Sequence, residues 1–165
     1  DAKTALILLY SREGRHSEAM RLAGELAAEL PRNRLFLLEQ GAAAIRAGRA
    51  AEADAVLTRG LAAFEKDTRP KIPGERSLWL YKRGLARLNL NQPADAAADL
   101  RQALAADPLA WIEGRTRVAL GQLADLAGRR ADAVSEYTRA KTICAGSDSM
   151  CTDQAKQFLK QPFSF

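Results

Sequence analysis

Glycine and alanine recur at fixed distances along this chain of 165 residues, and that recurrence leaves few folds open. Gly14 and Gly48 are 34 residues apart, as are Ala19 and Ala53. Gly41 precedes Gly48 by seven residues; the same step joins Gly121 to Gly128 and Gly84 to Asn91. Gly and Asn are the residues that most readily adopt the left-handed conformation that closes a helix. Five residues beyond Gly14, Gly48, Asn91 and Gly128 stand Ala19, Ala53, Ala96 and Ala133, each preceded by an acid: Glu18, Glu52, Asp95 and Asp132. An acid in a first helical turn faces the positive end of the helix dipole. Four occurrences in one register predict four copies of one helix–turn–helix unit.

Composition agrees with an all-α chain. The sequence is 47% hydrophobic and only 6% aromatic, and most of the apolar share is Ala and Leu, both strong helix formers. Runs rich in Val, Ile and Thr, the mark of strands, are absent. The net charge of +5 is mild and spread along the chain, which reads as a solvated surface and predicts no nucleic-acid patch. The longest apolar stretch, Ala5 to Tyr10, is far too short to span a bilayer. Because it begins at Asp1 rather than Met, the chain is expected to be a processed product or a piece of something longer.

The spacing resembles the tetratricopeptide repeat (TPR): a large apolar residue, Leu-Gly, a Tyr, then Ala, a large apolar residue and Pro. The first copy supplies Tyr10, Gly14, Ala19 and Pro31; the second Leu37, Gly41, Gly48, Ala53 and Leu57. The third supplies Leu80, Gly84, Ala96, Leu100, Ala103 and Pro108; the fourth Leu120, Gly121, Gly128, Ala133, Tyr137 and Ala140. No copy is perfect: the family's Trp position holds Leu37, Leu80 and Arg117, and its Tyr position Ala44, Arg87 and Ala124. The ending also resembles the C-terminal part of large bacterial multi-repeat proteins. The resemblance implies a single all-α domain over 1–165, a right-handed superhelix (α-solenoid) of four TPR-like helix pairs. The pairs fall at about 1–33, 34–66, 77–110 and 114–146, with a C-terminal capping helix and tail over 151–165. In such packing the Gly and Ala let paired helices approach, and the large apolar residues fill the wedge between pairs.

Two departures from the period mark insertions. Gly41 to Gly84 is 43 residues, with the excess around Lys66 to Arg76, where Pro70, Pro73 and Gly74 stop helix formation. Gly84 to Gly121 is 37, with a smaller insertion near Pro108 to Glu113. After the turn at 145–149, a short helix with Ala155, Phe158 and Leu159 on one side reads as the cap, and the apolar tail Phe163 to Phe165 is expected to fold back on the body.

Residues for chemistry are sparse. His16 is the lone histidine and reads as structural or surface; no zinc-protease, nucleophile-elbow or phosphate-loop motif is present. The chain is therefore not expected to be an enzyme, and no cofactor or metal is expected. Cys144 and Cys151, seven residues apart across the turn before the cap, are either a disulfide stapling the cap or two reduced thiols. A disulfide would place the chain in an oxidising compartment such as the bacterial periplasm or cell envelope; otherwise a cytoplasmic location is expected.

The family resemblance implies a protein–protein interaction scaffold whose concave face, lined by the first helix of each pair, holds a peptide or helix of a partner. Carried over, it places Leu8, Ser11 and Arg12 there from the first copy, and Leu35, Leu38, Ala42 and Ile45 from the second. The third gives Tyr81, Leu85, Leu88 and Asn89; the fourth Arg115, Val118, Gln122 and Asp125. The Lys, Asn and Arg with which some family members clamp a C-terminal carboxylate are not at matching positions. The apolar middle suits an amphipathic helix, an extended apolar peptide or self-association. Alternatives are a non-catalytic helical region of a larger enzyme or an envelope-assembly protein and, more remotely, a helical-repeat RNA binder of the pentatricopeptide kind.

Overall fold

The computed structural model describes residues 2–165; Asp1 lies outside the described residues. Among the described residues there are nine helices and no strand. They are α1 (Ala2–Arg12), α2 (His16–Glu29), α3 (Leu35–Arg46), α4 (Ala50–Lys66), α5 (Glu75–Asn89), α6 (Pro93–Ala105), α7 (Ala110–Leu126), α8 (Arg130–Cys144) and α9 (Ser149–Lys160). Each helix packs on the next in chain order. The odd-numbered helices also touch one another, α3 with α5, α5 with α7 and α7 with α9, while successive even helices make no comparable contact among the described residues. A row whose alternate members meet on one side only must curve toward that side. The molecule is thus an α-solenoid of four helix pairs closed by α9, with α3, α5 and α7 along its inner face.

The four turns inside the pairs are copies of one another. Their closing residues all have positive φ: Gly14 at 74°, Gly48 at 73°, Asn91 at 55° and Gly128 at 71°. The following N–H reaches back to the carbonyl five residues earlier: Arg15 to Tyr10 (2.8 Å), Arg49 to Ala44 (2.9 Å), Gln92 to Arg87 (2.9 Å) and Arg129 to Ala124 (2.8 Å). This is the six-to-one bond of a Schellman turn, which satisfies carbonyls left open at a helix end. The same residue then accepts the first bond of the next helix, from Ala19, Ala53, Ala96 and Ala133 respectively. In three turns it is an arginine that pairs with the first-turn acid: Arg15 with Glu18, Arg49 with Glu52 and Arg129 with Asp132.

Close approach explains the second set of glycines. A Cβ on Gly41 would lie 2.5 Å from Leu57, one on Gly84 2.8 Å from Leu100 and one on Gly121 2.4 Å from Tyr137, each sixteen residues further along. The first pair inverts the arrangement: Ile7 takes the glycine's register and Ala23 the large residue's, and both are buried. Ala19, Ala53, Ala96 and Ala133 are fully buried at the same seams. Between pairs the wedge is filled by large side chains, above all Trp79 of α5, which lies against Gly60 of α4, where a Cβ would sit 2.2 Å from the ring.

The long insertion is tied down. Arg34, just before α3, bonds Glu75 of α5 through two nitrogens (2.7 and 2.8 Å) and Asp67 at the end of α4 (2.5 Å). Glu75 also accepts from the Ile72 N–H (3.2 Å) and the Trp79 indole (3.3 Å). Burial alone would raise the Glu75 carboxyl, but Arg34, Trp79 and the Ile72 N–H outweigh it and hold it below its ordinary value. Arg69, Pro70 and Ile72 of the insertion line an open cavity of about 660 Å³ together with Leu30 and Leu35.

At the far end, Cys144 of α8 and Cys151 of α9 form a disulfide, both residues fully buried. The Asp148 side chain caps α9 by accepting from the Cys151 N–H (3.1 Å). The tail does fold back: the Phe163 N–H donates to Asp125 (2.8 Å), and the Tyr137, Phe158, Phe163 and Phe165 rings contact one another in sequence. Arg130 caps the other end of α9 by donating to the carbonyls of Phe158 (2.7 Å) and Leu159 (2.9 Å).

Candidate partner-binding groove

The inner face is built from α3, α5 and α7, and the offsets between Gly41, Gly84 and Gly121 bring their positions into line. Leu38, Tyr81 and Val118 share one line, and all are buried. They face the seams between helices rather than the open groove. Leu8, Ala42, Leu85 and Gln122 share the next; Leu8 is 54% exposed, Leu85 and Gln122 are half-buried and Ala42 is buried. Ser11, Ile45, Leu88 and Asp125 form a third, of which Ser11 and Ile45 are half-buried and Leu88 is buried. Arg12 and Asn89 are exposed, and Leu35 is 37% exposed at the rim of the loop cavity.

Two residues carried over from the family pattern have structural partners of their own. The Asp125 carboxylate accepts from the Tyr137 hydroxyl (2.9 Å), Arg130 and the Phe163 N–H, and its side chain is 1% exposed. Burial would raise it, but these three donors prevail and lower it, while burial and the Asp125 carboxylate push the Tyr137 phenol up. Arg115 is bidentate to Asp148 (2.6 and 3.2 Å) and lies over the Trp111 ring, so it links α7 to the cap. Tyr81 is pushed up to about 12, first by burial.

The carry-over missed the charged line of the inner face. Lys82 occupies the register of Glu39, and Arg46 that of Asn89. Lys82 is half-buried, and its ammonium is brought down to about 8 by burial first, then by Arg46 and Arg115, with Glu39 opposing. The signal that could have found it was in the sequence: the 43-residue step from Gly41 to Gly84 also carries Glu39 to Lys82.

Cys144, Asp148 and Cys151 lie close enough to suggest three metal ligands. The two sulfurs are bonded to each other and the carboxylate to Arg115, so the set is used as structure. His16 is half-buried at the start of α2, and its buried Nδ1 has no hydrogen-bond partner. No helix is long and apolar enough to cross a membrane among the described residues.

No protein-family model matches the sequence, and no curated protein matches it. Among solved structures, the crystal structure of MamA, a TPR-containing protein, is similar at a TM-score of 0.64. The match has 18% sequence identity and covers 92% of this chain and 88% of that one. That likeness shows the fold, a TPR-like helical-repeat solenoid.

Proposed function

We propose that the chain is a non-catalytic scaffold that holds a peptide or helix of a partner protein against the inner face of α3, α5 and α7. The observation that carries this reading is the division of labour among the inner helices. One line of residues (Leu38, Tyr81, Val118) is consumed by packing, while in the next two lines Leu85, Gln122 and Ile45 stay half-buried, and Asn89 beyond them is exposed. Mixed apolar and polar side chains on a curved wall of helices suit an amphipathic segment. On this reading the four helix pairs are four copies of one unit and the groove is their shared product. The disulfide supports an oxidising compartment such as the bacterial cell envelope, because thiols this close are kept reduced in the cytosol.

The test is crosslinking from a photoreactive residue at Gln122, a half-buried position of α7, in the native host. The crosslinked partner segment is mapped and then made as a synthetic peptide. Binding of that peptide with a Kd below about 10 μM, lost on Leu85→Asp with helix content unchanged, supports the reading. Binding that Leu85→Asp leaves intact would sink it.

A further inference from the structure

The half-buried and buried-facing arginines of this chain nearly all have acids of their own. Arg34 has Glu75 and Asp67; Arg83 and Arg87 share Asp99; Arg117 has Glu113 and Glu136. Half-buried Lys82 on the inner face breaks the rule: among the described residues it has no carboxylate within ion-pair distance, and its contact is the Tyr81 ring, with the ammonium 5.4 Å from the centroid. Exposed Arg46 has no carboxylate within that distance either. Arg46 of α3 and Arg115 of α7 both act on Lys82 of α5, but Arg115 is already paired with Asp148, which leaves Lys82 and Arg46 as the two cations without a carboxylate. Glu39 is the acid that acts on Lys82. A half-enclosed ammonium with no carboxylate of its own is costly in the free protein, and an arriving anion relieves that cost. Leu85, one turn further along α5, and Ile45 of α3 are half-buried apolar residues.

Resting on the groove reading above, we infer that the segment held there is acidic, with carboxylate side chains that meet Lys82 and Arg46 and apolar side chains that lie on Ile45 and Leu85. Charge complementarity selects this occupant: a basic helix would add like charges to a cluster that already repels itself, whereas carboxylates supply the counter-charge that the fold leaves out. A nucleic acid would satisfy the cations but would leave the apolar residues without a partner.

The experiment is selection of a random phage-displayed peptide library, of about sixteen residues to cross three helices, against the intact oxidised chain. It is run near 0.1 M salt, where charges still act over about 10 Å. The expected result is enrichment of Asp- and Glu-bearing amphipathic peptides that bind Lys82→Gln about tenfold more weakly. Arg46→Glu/Lys82→Glu should shift the selection to basic peptides. Enriched peptides that are neutral or basic and indifferent to Lys82→Gln, yet lost on Leu85→Asp, overturn the acidic assignment and leave the groove reading standing. Failure of any peptide to depend on Leu85 overturns both. Displacement of the acidic peptides by oligouridine of equal charge, with equal dependence on Lys82, assigns the cations to nucleic acid and overturns the peptide assignment.

Discussion

The backbone of Gly114 lies directly against the sulfur of Cys144: a Cβ there would sit 2.2 Å from Sγ of Cys144 and 3.2 Å from Sγ of Cys151. The disulfide therefore bears on α7 as well as joining α8 to α9. Gly114→Ala forces a side chain into that contact. Overpacking costs about 1 to 3 kcal/mol, against a helix-propensity gain of about 1 kcal/mol for replacing glycine. Urea unfolding is expected to show net destabilisation, whereas a stabilised variant would show that the contact relaxes freely.

Removing the disulfide tests the cap. Cross-linking residues this close in sequence contributes about 2 to 3 kcal/mol by loop closure. Cys144→Ser/Cys151→Ser is expected to lower stability by that amount. Hydrogen exchange should accelerate first in α9 and the 161–165 tail, because α9 otherwise leans chiefly on α7 and α8. Exchange that rises uniformly along the chain would contradict this.

Asp125 holds Tyr137, Arg130 and the tail together. Asp125→Ala leaves a buried phenol and a backbone N–H without their acceptor, a loss of about 2 to 4 kcal/mol. Limited proteolysis is expected to clip the tail near Lys160 in the variant and not in the parent chain. Equal resistance would show that the ring contacts of Phe158 and Phe163 suffice to hold it.

Acid stability follows from the carboxylates. Glu75, Asp125 and Asp148 are all held below their ordinary values, Asp148 first by Arg115 and the other two by donors that overcome burial. A carboxyl whose folded pKa is depressed adds stability that is fully present above its unfolded pKa and is lost as pH falls through the folded one. Melting temperature should accordingly be flat above about pH 5 and fall steeply below about pH 4. Glu75→Gln is expected to cost about 3 kcal/mol at neutral pH and to flatten the acid fall; an unchanged pH profile would show that Glu75 does not contribute.

The turns were the most legible part of the fold, since a left-handed closing residue has few chemical options. Gly14, Gly48, Asn91 and Gly128 declared themselves at once, and Asn91 takes the same conformation as the three glycines. The cap and its folded tail were legible for a similar reason: an apolar ending after a solenoid has one face to cover. The groove was less so. Register shows which residues share a line along successive helices, but not whether that line faces the open side or the next helix. Tyr81 and Leu88 sit one helical position from Lys82 and Asn89, and that single step separates buried from accessible. The role of Asp125 was out of reach, because it depends on Arg130, Tyr137 and Phe163 meeting from distant points of the chain.

Among the described residues the inner helices touch one another and the outer ones make no comparable contact. In the mechanics of a bent beam, that puts the neutral surface near α3, α5 and α7 and leaves α2, α4 and α6 on the compliant side. Tension or compression along the axis is then taken up by splaying of the outer row, while the rung-to-rung distance of the inner row stays nearly constant. A ligand lying on the inner row meets the same ruler whether the coil is slack or wound tight.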